Sequence, residues 1–439
     1  MSLSLNSLLS EYIINWVPSK RYFWQKEKET DGLRYPIPVE PQYLDLFKLV
    51  LGLHIIEIDQ LSRNIGELVI ETAFPDNFNS IVERMQSLFT HLTNSRIKLK
   101  VVPCSFRVAR QKLLEGSSYR RAVLFSGGLD SLCGAIKLSE QYPAILTHCR
   151  TNQVIFHKVL ELSRVPLLSW SPLFCIDAMT KSKTGGISNT RGLLFLSSAY
   201  AIAASLGIES IVFCENGSQM LDVMLGSLVY PNKPATKNTN PIFVDRIEEL
   251  FSLFNNKEIR IERPFQQYTK AEILQGFKNQ INFEKTFSCF STRGRSTMCG
   301  ICYNCFVRRM ALLAIDVKES PSTYEKNPFE TINREEQTAS YEERLRILLH
   351  FLRYYAKVLK KDSSALEELE VNARDYFEDP TDLAIRSAKE IFLGVARSLE
   401  RIEQGKLNPL GKKAKELLNQ IDKQLLTERY NELIRERPQ

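Results

Sequence analysis

The sequence lacks any stretch apolar enough to cross a bilayer comfortably. Its longest mostly apolar run, Gly192 to Ile208, carries Ser197, Ser198 and Ser205 and reads as a buried helix. A secretory leader is missing as well, since Met1 to Val17 has no basic start and places Glu11 where a clean apolar core would stand. Both absences predict a soluble, cytoplasmic chain with no membrane partner. Charge of one sign is nowhere concentrated: 58 Lys and Arg stand against 51 Asp and Glu, interspersed almost everywhere. The net +7 therefore permits an anionic partner, nucleic acid included, without marking a groove for it. Cysteine is absent before Cys104 and after Cys305. Nine cysteines confined to that span, four of them clustered, suggest metal binding over disulfides in a cytosolic chain.

What the chain does contain, within 439 residues that have room for about three domains, is an organising stretch from Arg121 to Ser131. Ala122 to Phe125 forms a short apolar strand that runs into Ser126-Gly127-Gly128-Leu129-Asp130-Ser131, after which Leu132 to Gln141 reads as a helix. Strand, glycine turn and helix start make an anion site. Glycine lets backbone N–H groups approach an oxyanion, and the helix N-terminus adds partial positive charge. The loop is neither Gly-x-x-x-x-Gly-Lys-Ser/Thr nor Gly-x-Gly-x-x-Gly, so it is neither a Walker loop nor a dinucleotide turn. The structural alternative is a tight turn in which Asp130 or Ser131 caps the helix.

In chain order, residues 1–117 read as a small α+β domain: an opening punctuated by Pro18, Pro36, Pro38 and Pro41, strand-like runs at Leu49–Ile58 and Glu67–Ala73, a helix at Asn77–His91, and a strand at Arg96–Val102. His54 and His91 have no partner cluster in the sequence and read as packed or surface histidines. Residues 118–317 alternate strand and helix, with strands near Val123, Ile145, Leu167, Ile211 and Ile259. That pattern argues for an α/β parallel sheet with helices on both faces and ligands at the carboxyl ends of its strands. Thr147-His148-Cys149-Arg150, Glu215-Asn216-Gly217 and Arg191 fall at such ends or at helix starts, where a ligand contact and an ordinary polar terminus are both open readings. Thr269-Lys270-Ala271-Glu272 is a capping box, and it also places Lys270 where it would neutralise a phosphate. Residues 318–340 read as a linker, and 341–439 as a helical C-terminal region with patterns at Tyr341–Lys361, Asp382–Glu403 and Lys412–Arg435. Its apolar stripe implies a bundle packed on the core, with partner docking as the alternative.

Cys289, Cys299, Cys302 and Cys305 form Cys-x9-Cys-x2-Cys-x2-Cys, with Gly300 free to turn around an ion. Four thiolates at this spacing suit a closed, structural Zn²⁺ tetrahedron. An iron–sulfur cluster is the alternative, although the ferredoxin Cys-Pro is missing. The other five cysteines read as core, with Cys149 alone near the proposed cleft.

The loop resembles that of the PP-loop ATP pyrophosphatases. Combined with Cys299-Gly300-Ile301-Cys302-Tyr303-Asn304-Cys305-Phe306-Val307-Arg308, the run Arg191-Gly192-Leu193-Leu194 and Thr269-Lys270-Ala271-Glu272-Ile273, it is similar to the 7-cyano-7-deazaguanine synthase (QueC) family over roughly residues 121–317. That resemblance implies an adenine nucleotide alpha hydrolase-like fold and an ATP-dependent carbon–nitrogen ligase that adenylates a 7-carboxy-7-deazaguanine. It also implies that Ser126, Gly127, Gly128, Leu129, Asp130, Ser131 and Arg191 hold ATP. Asp130, Ser131 and Lys270 are then catalytic with Mg²⁺, and the four cysteines hold Zn²⁺. The family's Asp-Tyr-Gly-Gln-Arg is Thr147-His148-Cys149-Arg150-Thr151 here, its Arg-Asn is Arg191-Gly192, and its Tyr-Pro-Asp-Cys has no counterpart near Asn216–Leu228. With the added N-terminal domain and long tail, this layout looks like the long antiphage-defence QatC-type branch, which implies an operon partner protein as the amine acceptor. A tRNA-modifying PP-loop enzyme and a non-catalytic ATP-binding scaffold are the competing readings.

Overall fold

The computed structural model describes residues 2–12, 23–26, 34–35, 39–60, 65–104, 119–139, 143–168, 171–178, 188–229, 239–289 and 297–435. Pro18, Pro36, Pro38, Gln141 and the border at 117/118 lie outside the described residues. The chain divides into two compact units. One comprises Met1–Ser126, Gly134–Cys214 and Thr236–Pro264; the other comprises Gly127–Cys133, Glu215–Ala235 and Phe265–Gln439.

The first unit holds both sheets. A small parallel sheet joins β1 (Ser2–Ser4), β4 (Glu67–Thr72) and β5 (Lys98–Pro103) in the order β1-β4-β5. The large sheet has a parallel core of β6 (Arg121–Leu124), β7 (Ala144–Arg150), β8 (Leu173–Asp177), β9 (Ser210–Val212) and β10 (Arg260–Glu262), in the order β10-β9-β6-β7-β8. Beyond β8 the sheet is extended antiparallel by β2 (Phe23–Lys26) and β3 (Arg34–Tyr35). The strand order reverses at β6, which has β7 on one side and β9 on the other. In open α/β sheets that switch point is where a ligand crevice forms at the carboxyl ends, and β6 feeds the glycine loop. The expected α/β class with a parallel sheet is therefore observed.

Three local readings need correction. Leu49–Ile58 is not a strand but the second half of α2 (Pro41–Ile58), which follows α1 (Leu5–Tyr12). Eleven of its residues are buried, including Leu46, Phe47, Val50, Leu51 and Leu53. A helix buried on nearly all sides has no polar face, so its sequence is indistinguishable from a buried strand by periodicity. Each such side chain contributes about 1.5–3 kcal/mol on burial, much of it against α7 (Arg191–Ser205), where Tyr43 meets Tyr200 edge-on at 5.5 Å. The third strand of the α/β region is β8 and not the vicinity of Leu167, which lies in a single 3-10 turn. The helix expected at Asn77–His91 is two helices, α3 (Pro75–Asn79) and α4 (Val82–Thr93). Between α5 (Leu129–Ser139) and α9 (Pro241–Asn255) the chain also forms α6 (Gln153–Leu162) and α8 (Gly217–Leu225).

The second unit is helical. α10 (Lys270–Phe277) and α11 (Tyr303–Ala314) are followed by α12 (Ala339–Leu359), α13 (Ser363–Ala373), α14 (Pro380–Leu399), α15 (Pro409–Leu418) and α16 (Lys423–Arg435). α11 packs closely on α14 because Gly394 has no side chain. A Cβ there would lie 2.4 Å from the Met310 carbonyl oxygen. Within residues 318–340 Phe329 is fully buried and its carbonyl accepts from the Asn408 N–H, so this stretch is anchored in the helical unit. No helix among the described residues is long and apolar enough to cross a membrane.

Candidate active site and cysteine centre

β6 ends at Leu124, and the ladder continues one step as the Phe125 N–H donates to Thr147 O at 2.8 Å. Ser126 is exposed. Gly127 then takes φ +78°, a conformation that glycine adopts without penalty, and α5 starts at Leu129. The Gly127 carbonyl accepts from the Phe287 N–H at 3.0 Å, and the Ser131 hydroxyl donates to Gly128 O at 3.1 Å. Leu129 is buried in the core, so the loop is tied down by packing on one side and leaves its N–H groups at a helix start.

Asp130, in the first turn of α5, is the centre of the second unit's polar cluster. Lys270 Nζ lies 2.7 and 2.6 Å from its two carboxylate oxygens, and Asn216 Nδ2 donates to Oδ2 at 2.7 Å. Both members of the ion pair are only 7% exposed, so removing either leaves an uncompensated charge, at a cost of about 3–5 kcal/mol. Asn216 is fixed in turn as the N-cap of α8, its Oδ1 accepting from Gln219 N at 3.0 Å. Gly217 must be glycine, because a Cβ would stand 2.0 Å from Gln266 O. Half-buried Glu215 precedes them. Burial, and then the Asp130 charge, push its carboxyl up to about 7, while Lys270 opposes the shift. Asp130 and Glu215, two carboxylates close enough to perturb each other, are donors of the kind a hard divalent cation takes.

Lys270 is the first residue of α10, and the expected capping box is present in full. The Thr269 hydroxyl accepts from Glu272 N at 3.3 Å, while the Glu272 carboxylate accepts from Thr269 N at 2.7 Å. The remaining sequence candidates lie in the first unit. Thr147 to Arg150 is the end of β7 itself and not a loop after it. His148 Nδ1 sits 2.9 Å from Phe125 O, and burial pushes its pKa down to about 4, so the ring is neutral. Its buried Nε2 has no hydrogen-bond partner among the described residues. Arg191 opens α7 half-buried, its guanidinium 5.1 Å over the Phe195 ring, with a pKa lowered by burial. The turn before it is held by Glu57 of α2, which accepts from Asn189 N at 2.7 Å, Thr190 N at 2.9 Å and the Ser188 hydroxyl at 2.6 Å. His54 joins this cluster at 2.9 Å from Thr190 Oγ1 as a packed histidine, its pKa lowered to about 4 by burial.

The four clustered cysteines converge. The sulfurs of Cys289, Cys299, Cys302 and Cys305 all lie within 4.8 Å of one another, and all four residues are buried. Four thiolates around one Zn²⁺ at about 2.3 Å define a tetrahedron with edges of about 3.8 Å. The Cys299 and Cys305 sulfurs stand 3.9 Å apart, and backbone N–H groups of Cys299 and Cys305 donate to Cys289 Sγ and Cys302 Sγ at 3.5 Å each. Gly300, at φ +78°, passes 1.9 Å from Lys326 O measured from a hypothetical Cβ, so no other residue fits the turn. Arg308 is fully buried. It donates to Thr286 Oγ1 at 2.6 Å and Phe283 O at 2.7 Å and pairs with Glu319, pinning the 3-10 turn and extended segment that lead to Cys289.

Against known proteins, residues 153–316 match the family described as Queuosine biosynthesis protein QueC. The chain carries a QueC-like domain. It is 27% identical over 234 residues to 7-cyano-7-deazaguanine synthase of Psychromonas ingrahamii, covering 47% of this chain and 99% of that one. It is 26% identical over 233 residues to the synthase of Nitrosococcus oceani, covering 47% and 98%. To the synthase of Prochlorococcus marinus it is 30% identical over 127 residues, covering 28% and 50%. The cysteine centre, Lys270 and Glu215-Asn216-Gly217 fall inside the QueC-like span, and the glycine loop precedes it. Sequence reasoning left Glu215 and Asn216 as an ambiguous strand end. The available signal was a Glu-Asn-Gly directly after an apolar strand, a helix cap that also faces a carboxyl-end site.

Proposed function

We propose that this chain activates a 7-carboxy-7-deazaguanine-type carboxylate with ATP and passes the acyl group to an amine. The observation that carries this reading is the Asp130–Lys270–Asn216 cluster at the glycine loop, in a chain similar to 7-cyano-7-deazaguanine synthases across nearly the whole length of two of them. In the first step a substrate carboxylate oxygen attacks the α-phosphorus of ATP, and the bond to pyrophosphate breaks. In the second, an amine nitrogen attacks the acyl carbon, AMP leaves with the bonding pair, and the nitrogen gives up a proton. Neither step needs a protein nucleophile. The protein's contribution is position and charge.

Ser126 to Ser131 would cradle the leaving pyrophosphate with backbone N–H groups, and Lys270, already beside the loop's carboxylate, would turn its ammonium to the developing negative charge. Arg191 would meet a phosphate or the substrate carboxylate through its guanidinium fork. Asp130 and Glu215 would hold Mg²⁺, which when bound screens the polyphosphate. Zn²⁺ is the ion that the four-sulfur centre suits, and with every ligand position filled its role is structural.

The acceptor is either ammonia or an amine of a partner protein. The altered residues at Thr147–Thr151 and the regions outside the QueC-like span favour a partner amine, and with it a place in antiphage defence in the cytoplasm. The test is to incubate the purified chain with ATP, 7-carboxy-7-deazaguanine and either ammonium or the product of a neighbouring gene. Mass spectrometry should find the deazaguanine acyl group on the partner. A nitrile or amide formed only with ammonium would remove the partner-protein reading.

A further inference from the structure

The C-terminal helices hold the first turn of α10 from both sides of Lys270. Glu272, two residues after the lysine, accepts two bonds at 2.6 Å from Arg386 of α14 and a further one from Arg429 of α16. Thr269, the residue before it, donates its hydroxyl to Glu390 of α14 at 2.5 Å, and Arg429 Nη2 donates to that same Glu390 oxygen at 2.6 Å. Arg429 is 1% exposed, and Glu272 and Glu390 are 6% and 4% exposed. Arg429 thus bridges the two anchors of the capping box, Glu272 directly and Thr269 through Glu390. A capping box needs no outside help to form. This one is nevertheless locked by an ionic network of Glu272, Glu390 and Arg429, all buried, and half-buried Arg386, which reaches 157 residues along the chain.

We propose that Arg429 is a positioning residue for Lys270, so that the helical C-terminal region sets the nucleotide site's geometry; this rests on the adenylating role proposed above. The physical argument is rotational. With Thr269 and Glu272 both fixed, the first turn of α10 cannot twist about its axis, and the Lys270 side chain leaves the helix in one direction, toward Asp130. A buried arginine pairing two carboxylates is expensive to desolvate, and replacing such a whole network by apolar side chains is often neutral for stability, so the network is weak evidence for a purely stabilising role. What its geometry does impose is the orientation of the first turn of α10.

The experiment is a double-mutant cycle on MgATP affinity, measured by calorimetry on the full chain with wild type, Arg429→Met, Lys270→Met and the double variant. Arg429→Met should weaken MgATP binding about tenfold when Lys270 is present and by less than about twofold when it is Met, because the effect passes through the lysine. Arg429→Lys should recover part of the loss. Equal losses in both backgrounds, or no loss in either, would overturn the inference. If Arg429→Met does not fold, Arg386→Met, at the half-exposed end of the same network, replaces it and should show the same dependence on Lys270. A wild-type chain that binds no ATP at all would instead remove the adenylating role itself.

Discussion

At the scale of single residues the site is a charge arrangement, and its members can be tested one at a time. Asp130→Asn leaves Lys270 buried beside a neutral amide, so Tm should drop and ATP-dependent pyrophosphate release, measured below that Tm, should fall at least ~100-fold. Steady-state release assays with a matched melting curve check this. Asp222, on α8, makes a different prediction. It accepts from the hydroxyls of Tyr303 and Tyr355, and burial holds its pKa up at about 7. In the unfolded chain the same carboxyl ionises near 4, so between those values the folded state binds the extra proton. The stability contributed by that proton is intact below about pH 4 and is lost as pH rises through about 7. Asp222→Asn, neutral throughout, should therefore gain in Tm relative to wild type from pH 5 to pH 8. A difference that does not change with pH contradicts the assignment.

At the scale of elements, what was legible in the sequence was what is local. The strand–glycine–helix unit at Arg121–Ser131, the Thr269–Glu272 capping box and the four-cysteine spacing at Cys289–Cys305 each lie within one short stretch of chain, and each is present. Illegible were the pairings between distant elements. Lys270 reaches Asp130 across 140 residues, and Arg429 reaches Glu272 across 157, and no spacing rule encodes either. α2 was misread because its burial removed the polar face that distinguishes a helix, and β8 because the apolar pair Leu167-Leu168 lies only a few residues before it. The cysteine centre gives the element-scale prediction. Removing the metal with a strong chelator, or replacing Cys302 with Ser, should lower Tm and release about one zinc per chain by metal analysis, because the free energy of binding a metal at four converging thiolates is also folding free energy. A chain that holds iron and sulfide, or no metal, contradicts a structural zinc.

At the scale of the whole molecule, the QueC-like span is less than half of the chain, and the regions flanking it supply hydrogen-bond partners to the turns that carry its candidate site residues. Glu57, from the N-terminal part, fixes the turn before Arg191 within one unit, and Arg386, Glu390 and Arg429, from the C-terminal part, fix the turn that bears Lys270 within the other. On the function proposed above, each flank bears on the chemistry through the orientation of these two turns. The central claim is that the polar cluster at the glycine loop adenylates a deazaguanine carboxylate. The most direct measurement is pyrophosphate and AMP release from ATP by the purified wild-type chain supplied with ammonium as the amine, with and without 7-carboxy-7-deazaguanine. The account predicts that release of both depends on the carboxylate and is lost in Lys270→Met. Release of ADP and phosphate instead, or of AMP and pyrophosphate at the same rate without the carboxylate, would contradict it.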